Sequence, residues 1–130
     1  MNKWEIEGEL NFLAELKTNT LTAEEDLIVL RLIKSLSESL ISINDDKKAI
    51  VEKAQKDGVV FGDNGQPDME KSDKEALEKA NEKIRILLSE DVDVKVLDIS
   101  IIHKLKNDNL DKLGNVISFA NFATKYLKET

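Results

Sequence analysis

From Thr22 to Asp57 the chain carries neither glycine nor proline. Val29, Ile33, Leu36, Leu40 and Ile43 recur at spacings of four, three, four and three. The seam continues through Lys47 to Ile50 and Ala54, a heptad repeat that places these side chains on one stripe of a helix. Thr22-Ala23-Glu24-Glu25 opens it as a capping box: the hydroxyl accepts from the backbone at Glu25, and the Glu25 carboxylate reaches back. Acids at 24, 25 and 26 suit the positive end of the helix dipole. At 1.5 Å per residue, such a helix would be about 54 Å long.

Asp57-Gly58 ends the run, with glycine suited to a left-handed cap. Val59-Val60-Phe61 and Gly62-Asp63-Asn64-Gly65 follow and read as a short hairpin or ordered loop. The only proline, Pro67, stops any helix before it. Ser72-Asp73-Lys74-Glu75 reads as a second capping box, followed by Leu77, Ala80, Ile84 and Leu87 at three, four and three. Two capped heptad helices joined by a short polar segment should fold back as an antiparallel pair. Leu27, Ile28, Leu30 and Leu32 exceed what one seam needs. Cover from the two termini or a homodimer would satisfy them equally well.

Elsewhere the period changes to two. Trp4 and Ile6 alternate with acids, and Val92, Val94 and Val96 alternate with polar residues. Both patterns predict strands, which would close a two-stranded sheet at the base of the hairpin. Leu10, Leu13, Ala14 and Leu16 read as a short helix or irregular extension. Ile99 to Leu105 reads as a short turn or helix. Val116 to Leu127 reads as a final helix with Val116, Phe119, Ala120, Ala123 and Leu127 on one face. The expected fold is mainly α (α+β): a long antiparallel helical hairpin, a small two-stranded sheet at its base and a C-terminal helix. Residues 1–130 are expected to form a single domain, a size at which a core can form without staples.

Composition narrows the chemistry. With no cysteine, disulfides, thiolate metal sites and cysteine nucleophiles are excluded. The net charge of −7, with bases interleaved among acids, disfavours direct nucleic-acid binding. No apolar run approaches the roughly 20 residues of a membrane span. The opening Met-Asn-Lys-Trp-Glu-Ile-Glu lacks the apolar core of a signal peptide, so a cytoplasmic protein is expected.

No catalytic constellation emerges. His103 is the only histidine, so a base or metal ligand of that type has no second histidine beside it. Asp63, Asn64, Asp68 and Glu70 gather oxygen ligands near the tip, but their spacing misses the calcium-loop pattern and they read as a solvated turn. Asp91, Asp93 and Asp98 read as the solvent side of a strand. The glycines form no phosphate loop, and the serines 35, 37, 39 and 42 lie in no nucleophile elbow. The expectation is a non-enzymatic protein with no catalytic residue, metal or cofactor. Val59, Val60 and Phe61 are the candidate partner contacts, set against the simpler reading that they pack on the helices and order the loop.

One resemblance stands beside this reading. The leading segment ends in Ala14-Glu15-Leu16-Lys17, and the long helix and the tip Asp63-Asn64-Gly65-Gln66-Pro67 follow. Ile84-Arg85-Ile86-Leu87-Leu88-Ser89-Glu90 then runs into Val92-Asp93-Val94-Lys95-Val96, before Asp98-Ile99-Ser100-Ile101 and a C-terminal helix. This order is similar to that of an uncharacterised family of small proteins encoded by tailed bacteriophages. The chain departs from it in lacking a proline within Thr18-Asn19-Thr20-Leu21 and in a tail richer in lysine and asparagine. The resemblance implies a phage protein in the host cytoplasm or the virion and carries no activity with it. The rigid helical pair with its exposed tip is what suggests a non-enzymatic interaction module, a small virion, assembly or accessory component that binds itself or another phage or host protein. An acidic inhibitor of a host defence enzyme, such as a nuclease, is the alternative that size and charge allow.

Overall fold

The structure is a computed structural model and describes residues 1–128. It is mainly helical. A single 3₁₀ turn at Lys3–Glu5 leads into α1 (Ile6–Ala14); α2 (Ala23–Lys56), α3 (Lys74–Ser89), α4 (Ile99–Asp108), α5 (Leu110–Leu113) and α6 (Val116–Tyr126) follow. None of these helices is long and apolar enough to cross a membrane among the described residues. The chain divides into two compact units. One comprises Met1, Glu5–Ser39 and the chain from Val92; the other comprises Asn2–Trp4 and Leu40–Asp91. Ser39 and Leu40 are consecutive in α2, so that helix contributes its first part to one unit and its remainder to the other.

The start of α2 follows the sequence closely. Thr22 N–H donates to Glu25 Oε1 at 3.0 Å, and Glu25 N–H donates to Thr22 Oγ1 at 3.2 Å. Lys104 Nζ also donates to Glu25 Oε1 at 2.6 Å, tying α4 to the first turn of α2. Those bonds, the lysine first, hold the Glu25 carboxyl below its usual range. The heptad positions Val29, Leu36, Ile43 and Ala54 are buried, and Ile33, Leu40, Lys47 and Ile50 are half-buried.

In the first unit Ile6, Leu13, Leu16, Val29, Leu32, Leu36, Leu97, Ile101, Ile102, Leu105, Leu113, Phe122 and Tyr126 are withdrawn from solvent. The buried amide of Asn109 joins three segments here. Its Oδ1 accepts from Lys17 N–H at 2.8 Å, while its Nδ2 donates to the Lys17 and Leu105 carbonyls, both at 2.8 Å. These bonds satisfy the buried carbonyl of Leu105 and hold the part-buried backbone of the α1–α2 connection at Lys17. Leu97 and Leu127 form one parallel bridge, with Leu97 N–H donating to Tyr126 O and Lys128 N–H to Leu97 O.

In the second unit α3 runs antiparallel to the end of α2. Ala54 meets Leu77, while Asp46, Ala49 and Ile50 border the same depression as Lys83, Ile86 and Leu87. Rising positions on one helix thus match falling positions on the other.

The expected sheet is absent among the described residues, and its two strands need separate corrections. Trp4 lies in the 3₁₀ turn and is 63% exposed, whereas Ile6 begins α1 and is wholly buried. Ile6, Leu10 and Leu13 follow each other at four and three, so the helical period takes Ile6 and the alternation of Trp4 with Ile6 was too short to decide. What survives is one antiparallel bridge, Asn2 with Asp91, with Lys3 N–H donating to Glu90 O at 2.9 Å. Residues 92–96 have no strand neighbour among the described residues, so their valines alternate without forming a ladder.

Two further corrections concern helices. Ser72 does not cap α3; Asp73 does, with Oδ2 accepting from Ala76 N–H at 3.3 Å. On α6 the buried residues are Phe122 and Tyr126, while Val116 is 82% exposed and Ala120 is also exposed. Asn115 caps that helix, its Oδ1 accepting from Ile117 and Ser118 N–H.

Asn109→Ala should destabilise the chain by about 2 kcal/mol, since it leaves the buried Leu105 carbonyl without its side-chain donor and releases the part-buried backbone of Lys17. Chemical denaturation followed by helical circular dichroism measures this. A loss below about 0.5 kcal/mol, the range of ordinary surface changes, would show that the amide is not an anchor.

Candidate functional site

The loop between α2 and α3 is closed by its own backbone. Gly58 adopts φ 109°, a conformation open to glycine, and its carbonyl accepts from Asp73 N–H at 3.0 Å. Phe61 and Pro67 form an antiparallel bridge, and Gly62 N–H donates to Gln66 O at 2.8 Å. Gly65, at φ 77°, turns the tip, where Asn64 Oδ1 accepts from Gln66 N–H. Ser72 is buried beneath the loop. Its Oγ accepts from Val60 N–H at 2.9 Å and donates to Val60 O at 3.2 Å.

This arrangement separates the three candidate contact residues. Val59 is buried with Ala54 and Leu77, and Phe61 packs against the same cluster. Val60 is exposed. Val59 is thus a core residue of the second unit, and Phe61 covers that core; Val60 alone of the three presents its side chain to solvent. Val59 faces inward because its N–H donates to Ala54 O at 2.9 Å, continuing the helix end around Gly58.

The tip oxygens do not converge. Asn64 Oδ1 serves Gln66 N–H, and Asp68 Oδ1 accepts from Glu70 and Lys71 N–H. Among the described residues there is no group of three or more histidines, cysteines or carboxylates placed to hold a metal. His103 is exposed on α4 and stacks on Phe119 at 5.8 Å between centroids, while Lys106 Nζ lies 4.6 Å from the same ring centroid.

The first unit has a depression of about 170 Å³ bordered by Glu9, Phe12, Lys112, Phe122 and Lys125. One Glu9 oxygen accepts from Tyr126 Oη at 3.0 Å and Lys125 Nζ at 3.1 Å. Burial first, and then the Glu9 carboxylate, push the Tyr126 phenol well above its ordinary pKa. A phenol so held keeps its proton near neutral pH and is a poor general acid or base there. The group therefore reads as a tie between α1 and α6.

A second depression of the first unit, about 280 Å³, is bordered by Arg31, Lys34, Ser35 and Glu38 of α2 and by Lys95. Sequence reading missed it because Lys95 lies more than fifty positions from the helical residues and no spacing rule joins them. Leu27 and Leu30, 46% and 53% exposed, occupy the side of α2 that faces away from Val29, Leu32 and Leu36.

No family model matches the chain, and neither the curated proteins nor the solved structures include a match.

Two outcomes follow. Val59→Ala should cost about 2 kcal/mol in a denaturation experiment, whereas Val60→Asp should change stability by less than about 0.5 kcal/mol. For Tyr126, a raised folded pKa means that its contribution is complete below the unfolded value of about 10 and is lost as pH rises above it. As Tyr126 is the only tyrosine, phenolate absorbance reports it alone. Phenolate should appear only as helicity is lost, and Tyr126→Phe should unfold less steeply with alkali than the parent chain. Ordinary titration near pH 10 in a chain still helical would contradict the burial.

Proposed function

We propose that this chain is a non-enzymatic protein-interaction module of the kind encoded by tailed bacteriophages, a virion, assembly or accessory component. The observation that carries the reading is the outward side of α2 in the first unit. Leu27 and Leu30 stand in solvent there, although the opposite side of the same helix already buries Val29, Leu32 and Leu36. Apolar side chains repeated on the free side of a helix are the usual anchors by which a helix engages a partner. The polar groups support the same reading, because Asn109, Ser72, Glu9 and Glu25 are all occupied in bonds that join segments of the fold.

The acidic-inhibitor alternative is less favoured. Imitation of a phosphate backbone needs acids gathered on one surface. On α3, Glu75, Glu78 and Glu82 alternate with Lys74, Lys79 and Lys83, and Arg85 pairs with Glu82.

A photo-crosslinking residue at Leu30, with a matched control at exposed Lys56, tests the interaction surface in cells. One discrete adduct at position 30, with a second copy or with one other protein, and none at position 56 is the expected result. Equal, diffuse labelling at both positions, or no adduct, would contradict the proposal.

A further inference from the structure

The depression bordered by Arg31, Lys34, Ser35, Glu38 and Lys95 stands out electrostatically in a chain of net charge −7. Within the first unit, Lys104 pairs with Glu25, Lys112 with Glu15 and Lys125 with Glu9, while Lys106 lies over the Phe119 ring. No such partner engages Arg31, Lys34 or Lys95 among the described residues, yet all three border one hollow. Glu38 lies four positions after Lys34, the less favourable order for an intrahelical pair, and does not bridge to it. The half-buried Ser35 hydroxyl is uncommitted too.

From this placement we infer that the hollow binds a phosphate-type oxyanion, either free phosphate or the phosphate group of a small monoester. Arg31, Lys34 and Ser35 are within one turn or so of each other on α2, at spacings of three and four that share one helical side. Lys95 comes from the extended segment before the Leu97 bridge. The set offers a planar guanidinium fork, two ammonium groups and a hydroxyl donor, which suits a tetrahedral anion with several acceptor oxygens. With Glu38 counted, the local charge is +2, matching a phosphate dianion. The hollow is of a size to hold such a group, and its rim is polar. Attraction must overcome the negative field of the whole chain, so binding should be local, weak and sensitive to salt. This inference does not depend on the interaction reading, which concerns the apolar side chains of Leu27 and Leu30.

Heteronuclear NMR of the full chain, titrated with sodium phosphate or glycerol phosphate at constant ionic strength, tests it. The expected result is saturable shifts centred on the amides of Ser35 and Lys95, at millimolar ligand. Tighter binding of glycerol phosphate would assign the site to a monoester; equal or weaker binding would assign it to the free ion. Arg31→Gln and Lys95→Gln, both at exposed positions, should each weaken binding about tenfold, as expected for loss of one charge-assisted bond. Glu38→Gln should strengthen it severalfold. Shifts that never saturate and spread over lysines throughout the chain, or affinity unchanged in both cation variants, would overturn the inference.

Discussion

The burial of one side of α2 is the constraint on which the rest of the structure depends. A helix from Ala23 to Lys56 does not persist on propensity alone, since most helical stability in proteins comes from packing an apolar stripe. Val29, Leu32 and Leu36 supply that stripe in the first unit, and Ile43 and Ala54 in the second. Each large side chain so buried contributes about 1.5–3 kcal/mol as an upper estimate. Two units therefore share one helical backbone, and each must cover its own part of the stripe.

Polar groups then decide how the covering segments are held. Asn109 pins the connection between α1 and α2 to the end of α4, and Glu25 joins the opening of α2 to Lys104. Glu9 receives both Tyr126 and Lys125, so α1 is tied to α6. Ser72 does for the loop of the second unit what Asn109 does for the first, satisfying the backbone of Val60 from beneath. No buried side-chain nitrogen or oxygen is left without a partner among the described residues. These contacts join residues distant in sequence, with 92 positions between Lys17 and Asn109 and 117 between Glu9 and Tyr126.

That distance explains what could be read in advance. The heptad seams of α2 and α3 and the Thr22–Glu25 box are local patterns, and they appear in the structure at the positions the spacing indicates. The strands failed because alternation describes one segment while a sheet needs a second segment alongside it. Trp4 and Ile6 belong to different helical turns, and the valines of 92–96 have no ladder. Ser72 imitates a cap in sequence, but Val60 recruits its hydroxyl and Asp73 takes the capping position. The tip residues Val59, Val60 and Phe61 look alike in composition; only the turn at Gly58 determines which of them points into the core. Tyr126 was legible as a C-terminal helical aromatic suited to a core or a docking surface, but its bond to Glu9 was not, because Glu9 lies at the other end of the chain.

An uninterrupted α2 also has a consequence for function, since its free side presents apolar and basic groups on a rigid support. Residue-resolved amide hydrogen exchange tests the continuity of that helix most directly. The account predicts slow exchange from the second turn of α2 through Ala54, including residues 37–42 where one unit gives way to the other. Exchange at residues 37–42 as fast as at the frayed helix ends would contradict it, showing two helices joined by an opening segment rather than one.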